Sequence, residues 1–156
     1  MSLGPQIGDK APDFDLATDG GGRVNLAELS GKKVVLYFYP KDDTSGCTSE
    51  AQAFTAEADA FTAAGALVIG VSKDSVASHE KFKKKYGLTV RLASDPEGAA
   101  CEAYGVWVEK SLYGRKYMGV ERATYLIGPD GLIRGAWRKV KVAGHAQAVL
   151  AAVQAL

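Results

Sequence analysis

The chain is expected to fold as an α/β domain, a central mixed β-sheet flanked by helices, on three observations. VVLYFY (Val34 to Tyr39) and ALVIGVS (Ala66 to Ser72) are unbroken apolar runs rich in β-branched and aromatic residues. Such runs suit strands buried on both faces of a sheet. Amphipathic stretches of helical length alternate with them, whereas the last third reads as a hairpin followed by one more helix. At 156 residues, 47% of them hydrophobic and 24% charged, the chain suits a single domain over 1–156, with no internal repeat or linker to divide it.

Each element has a local reason. Gly20-Gly21-Gly22 lies between PDFDLAT and RVNLAEL and reads as the turn of an early hairpin or as a loop. Val34 to Tyr39 is the first core strand, closed by Pro40. From Cys47 to Ala64 the chain is rich in Ala, Glu, Gln and Phe, with Phe54 and Phe61 on one stripe, and predicts a helix ended near Gly65. Ala66 to Ser72 is the second strand. Ser75 to Gly87 is a second helix, capped by Ser75 and stopped by Gly87. A short strand is expected over Val90 to Ala93, and Asp95-Pro96 opens a short helix through Cys101 to Tyr104. RATYLI, the turn GPDG and LIRGAWR form a hairpin, and Gly144 to Leu156 an Ala/Val/Leu helix. Two parallel β–α–β crossovers, then an antiparallel hairpin and a covering helix, are the thioredoxin plan.

Charge and composition narrow the function. A net charge of +1 points to neither nucleic acid nor a membrane surface. Lys83-Lys84-Lys85 reads as a solvated helix face. No apolar run is long enough to cross a bilayer. The N-terminus, MSLGPQIGDKAPDFDL, lacks the apolar core of a secretory signal. Two cysteines 54 positions apart make no disulfide framework, so free thiols and a cytoplasmic location are expected. His79 and His145 fall in no Cys-His pattern and read as solvated helix residues. No metal site or cofactor is expected.

The segment YPKDDTSGCTSE holds the candidate site. Cys47 follows a polar loop, a poor place for a core thiol, and lies just past the carboxyl end of the first core strand, where ligands gather in open α/β sheets. In the first turn of the next helix it meets unpaired backbone N–H groups and the positive end of the helix dipole. The reactive form of a thiol is the thiolate, and a free thiol is only about 3% ionised at neutral pH. The dipole contributes about 0.3–1 kcal/mol in exposed settings, so a cationic neighbour is needed as well. Thr44 can present its hydroxyl to the same pocket or cap the helix. Gly46 removes a side chain beside the sulfur, and Pro40 stiffens the entry to the loop. Glu50, one turn beyond, either pairs with that cation or complements the helix N-terminus.

The pattern Pro40-x-x-x-Thr44-x-x-Cys47 resembles the signature of the peroxiredoxins. In its setting, YFYPKDDTSGCTSEAQAF is similar to the peroxiredoxin Q branch, also called the bacterioferritin comigratory protein branch. GDKAPDFDL, DPEGAACEAYGVW and ERATYLIGPDGLI match the usual flanks in order, so the resemblance runs from about Ile7 to the end. It implies a thioredoxin-like fold and a thiol peroxidase in which Cys47 attacks hydrogen peroxide or an organic hydroperoxide. It also implies that Arg122, in ERATYLI, sets a guanidinium beside the sulfur. Spacing alone does not select that arginine.

The product on Cys47 would be a sulfenic acid, which a second thiol must resolve. Members of the branch carry a resolving cysteine five residues on or in the next helix; here those places hold Gln52 and Lys83. Cys101, flanked by Ala99, Ala100 and Ala103, reads as a small buried residue or as an unusual resolving thiol. Otherwise thioredoxin, a glutaredoxin-like protein or a small thiol is the expected reductant, and the protein a monomer or dimer. Two rivals stand beside this reading. A dithiol oxidoreductase would need Cys-x-x-Cys, but Cys47-Thr48-Ser49-Glu50 lacks the second thiol. A peroxide-sensing thiol switch would turn over once.

Overall fold

The structure, a computed structural model, describes residues 4–156; the first three residues of the N-terminal segment read above lie outside it. Among the described residues nine strands and five α-helices follow in order: β1 (Asp15–Thr18), β2 (Arg23–Asn25), β3 (Lys33–Phe38), α1 (Ser45–Ala56), α2 (Ala58–Ala63), β4 (Ala66–Ser72), α3 (Val76–Tyr86), β5 (Arg91–Ser94), α4 (Ala99–Ala103), β6 (Trp107–Leu112), β7 (Arg115–Val120), β8 (Ala123–Ile127), β9 (Ile133–Trp137) and α5 (His145–Gln154). Seven strands make one mixed sheet in the order β2-β1-β5-β4-β3-β8-β9. β3, β4 and β5 are parallel neighbours, and β8 runs antiparallel to β3. This is the α/β plan expected from the sequence.

The apolar runs lie at the sheet centre for the reason given: β3 is buried from Val34 to Phe38 and β4 from Val68 to Ser72. Alternate β3 residues feed two cores on opposite faces of the sheet. Val34, Leu36 and Phe38 pack with Cys101, Tyr104 and Tyr125. Val35 and Tyr37, with Tyr39 just past the strand, pack with Cys47, Phe54, Phe61 and the inner face of α5, Val149 and Val153.

Several elements depart from expectation. The single helix predicted from Cys47 to Ala64 is two, parted at Glu57 (φ −99°, ψ 10°). The break lets Phe61 turn into the core, its ring centroid 5.8 Å from that of Phe54. The glycine triplet does close a hairpin, β1 to β2, through a 3-10 turn in which Gly20 has φ 77°. Ser75 caps α3 by accepting the Ser78 N–H at 3.1 Å, and Gly87 ends it in the left-handed region. A second hairpin, β6 to β7, stands apart from the main sheet and was not foreseen.

The two histidines are the clearest correction. Both were expected to be solvated, and both are buried, His79 at 0% and His145 at 6% exposure. Each is drawn inside by a polar partner: His79 by Asp42, with Nδ1 2.7 Å from the carboxylate, and His145 by Thr124, with Nε2 2.7 Å from the hydroxyl.

Candidate active site

The strand register assembles the site. Because β8 runs antiparallel to β3, with Ala123 opposite Phe38, the start of β8 lies at the carboxyl end of β3. Arg122, one residue before Ala123, therefore reaches the place where α1 begins. No local sequence signal could have shown this, because it depends on a pairing between segments more than 80 residues apart.

Cys47 is the third residue of α1 and is 2% exposed. Arg122 Nη2 donates to its Sγ at 3.3 Å. The other arm of the guanidinium, Nη1, donates to Glu50 Oε1 at 2.6 Å. One cation thus serves two acidic groups a helical turn apart, a use of the planar fork that lysine could not copy. Glu50 is the pairing partner that was one of its two expected readings. It is 1% exposed, and its second oxygen has no hydrogen-bond partner among the described residues. Burial pushes its carboxyl up to about 7, against the downward pull of Arg122.

Gly46 is a close backbone neighbour of the guanidinium. A Cβ there would lie 3.1 Å from Arg122 Nη2, so the bare backbone makes room for the guanidinium. Thr44 occupies the N-cap position in extended geometry, but its side chain makes no cap bond. Its hydroxyl donates back to the Lys41 carbonyl at 2.8 Å, which leaves the oxygen free to accept. The first turn of α1 therefore keeps unpaired N–H groups, since intrahelical bonding starts with the Thr48 N–H to the Thr44 carbonyl at 2.8 Å. Pro40 is half-buried at the end of β3.

The floor of the site is aromatic and buried. Tyr37 stacks on Phe54 with centroids 4.7 Å apart. His145 meets Phe54 edge-on, and burial, helped by the nearby Arg122, lowers it to about 4. It is neutral at physiological pH and adds no charge.

Cys101 is not brought to this site. It is fully buried in the core on the other face of the sheet, and its N–H donates to Asp95 Oδ2 at 2.9 Å. Burial first, and the Asp95 carboxylate second, push its thiol well above the ordinary range. Gln52 is exposed, and Lys83 is paired with Asp19 at 2.7 Å.

A lone thiol at the carboxyl edge of a mixed sheet, gripped by a guanidinium, defines a thiol-based redox protein. The comparisons narrow the class. The model of the AhpC/TSA family matches residues 7–136. A putative peroxiredoxin bcp of Coxiella burnetii is 51% identical over 93% of this chain and 96% of its own length. Peroxiredoxin Bcp of Bacillus subtilis is 47% identical over 90% of this chain and 89% of its own. Among solved structures, Xanthomonas campestris Peroxiredoxin Q superposes with a TM-score of 0.87 at 48% identity, covering 91% of this chain and 90% of that one. A mutant of Xylella fastidiosa PrxQ gives 0.92 at 41% identity, covering 97% and 96%. The chain belongs to the AhpC/TSA family and, within it, to the peroxiredoxins, thiol-dependent peroxidases with a thioredoxin-like fold.

Proposed function

We propose that Cys47 is the peroxidatic thiol and that Arg122, Thr44 and the first-turn amides of α1 hold the hydroperoxide against it. The observation that carries this is the Arg122 Nη2 contact to Cys47 Sγ at 3.3 Å. Cys47 thiolate attacks one peroxide oxygen, the O–O bond breaks, and Cys47 becomes a sulfenic acid; the other oxygen departs with the electron pair and takes a proton from solvent to become water or an alcohol. Negative charge moves from sulfur to the departing oxygen. A guanidinium already paired on one side with Glu50 is fixed in place to meet that charge without reorganising. Thr44, whose proton is committed to Lys41, accepts from the peroxide O–H. A described relative, the Xanthomonas campestris Bacterioferritin Comigratory Protein, has been studied for alkyl peroxide reduction, which supports organic hydroperoxides as substrates here.

Recycling falls to an external thiol in this reading: thioredoxin, a glutaredoxin-like protein or a small thiol. The support is the position of Cys101 on the opposite face of the sheet, beside a carboxylate that opposes its ionisation. The reading extends to a cytoplasmic protein acting in cell redox homeostasis; no described helix is long and apolar enough to cross a membrane.

The test is hydrogen peroxide consumption under excess dithiothreitol by the parent and by Cys47→Ser. Many turnovers by the parent and none by the variant are expected. A single equivalent consumed by the parent would favour the sensor reading, and full activity in Cys47→Ser would remove Cys47 from the chemistry.

A further inference from the structure

The loop from Pro40 to Thr44, which delivers the chain from β3 into α1, is fastened to α3 rather than to α1. Asp42 is 7% exposed and accepts three side-chain hydrogen bonds: Tyr39 hydroxyl at 2.6 Å, Ser78 hydroxyl at 2.8 Å and His79 Nδ1 at 2.7 Å. His79 reaches onward with Nε2 to the Ala93 carbonyl of β5 at 3.0 Å. Carboxylate and carbonyl are both acceptors, so both ring nitrogens must carry hydrogen: His79 is a buried imidazolium paired with Asp42. The Asp42 N–H is also taken, donating to Asp74 Oδ2 at 2.8 Å. Next to it Asp43 sits at φ 60°, a left-handed conformation that costs energy in a residue with a Cβ. Its carboxylate is held in turn by Lys85 at 2.8 Å and by the Tyr86 hydroxyl.

Such an arrangement is more than a stable core requires. A buried ion pair is replaced by apolar residues at little or no cost in stability, whereas loss of one partner leaves a stranded charge. Together with the Asp74, Lys85 and Tyr86 contacts, the pair fixes where the loop stops, two residues before Thr44 and five before Cys47. We propose that Asp42 and His79 are positioning residues for the peroxide step: they set the register of the loop, and so the placement of Thr44 and the first-turn amides around the incoming hydroperoxide. The proposal rests on Cys47 being the peroxidatic thiol. Neither residue touches the sulfur or the substrate; both act through the loop.

The test separates placement from stability. His79→Leu alone strands the Asp42 charge and lowers the urea midpoint. Asp42→Ala with His79→Leu removes both charges and returns the midpoint toward that of the parent. On that double variant two rates are measured: oxidation by hydrogen peroxide in a single turnover, and reduction of the oxidised protein by dithiothreitol. Misplacement of reacting groups predicts a fall of about tenfold or more in the first, with the second unchanged within about twofold. Peroxide oxidation at the parent rate, or equal slowing of both steps, overturns the proposal. Should the double variant not fold, Tyr39→Phe and Ser78→Ala each remove one hydrogen bond to Asp42. Each is then expected to slow the peroxide step by about threefold, a fraction of the full misplacement effect, and parent rates in both overturn the proposal. Failure of the Cys47 assignment itself appears separately, as peroxide consumption that survives Cys47→Ser.

Discussion

Glu50 and Cys47 compete for one guanidinium, and the consequences can be measured residue by residue. Burial holds Glu50 at about 7, above its ordinary 4.5, so the folded chain binds that proton more tightly than the unfolded chain. The stabilisation is complete below about pH 4.5 and is lost as the pH rises to about 7. The gap is worth about 3 kcal/mol, with Arg122 as the partner that offsets part of the burial penalty. Glu50→Gln does not titrate, so its stability relative to the parent rises by up to about 3 kcal/mol between pH 4.5 and 7.5 in urea unfolding. Parallel pH profiles would contradict this. If Arg122 meets the developing charge as proposed, the second-order rate of Arg122→Ala with hydrogen peroxide is expected to fall by about a hundredfold or more. The fall is read in single-turnover oxidation.

At the scale of elements, the glycines mark where backbone and side chains come closest. Gly46→Ala sets a Cβ 3.1 Å from Arg122 Nη2 at the start of α1. The helix tolerates alanine, but the guanidinium must shift. Slower peroxide oxidation with little change in urea midpoint is the expected outcome. Gly70, in β4, is a different case. A Cβ there would lie 2.6 Å from Tyr37 Cζ and 2.9 Å from Leu92 Cδ2, inside a packed core. Gly70→Ala should cost about 1–3 kcal/mol by overpacking, checked by urea unfolding. The same packing explains what could be read in advance. β3 and β4 were plain in the sequence because strands buried on both faces are written as unbroken apolar runs. The β6–β7 hairpin was not, because most of it is exposed and no alternation marks it. Its one signal was Tyr113-Gly114, the left-handed pair at its turn (φ 50° and 77°). His79 also left a trace: it precedes Phe82 by three residues, on the same inward face of α3, and so was never on the solvent side.

Taken as a whole, the molecule is a sheet with a separate core on each face, and the two thiols lie one on each side. Cys47 and the loop before it were legible in the sequence because both are local. The partners of Cys47 were not. Arg122 depends on the β3–β8 register, and the Asp42–His79 pair depends on α3 packing beneath the loop. For two thiols in separate cores to reach the Cα separation of about 4.4–6.8 Å that a disulfide needs, α1 or α4 would have to leave its place. Non-reducing mass spectrometry after one equivalent of peroxide should therefore show no intramolecular disulfide, and a loss of two hydrogens would contradict the division of the two cores. The most direct measurement goes to the sulfur itself. The reduced protein is given one equivalent of hydrogen peroxide with dimedone present, and the adduct is located by peptide mapping. A single adduct on Cys47, with Cys101 still a free thiol, is the predicted result; an adduct on Cys101, or an unmodified Cys47 after the peroxide is gone, would contradict it.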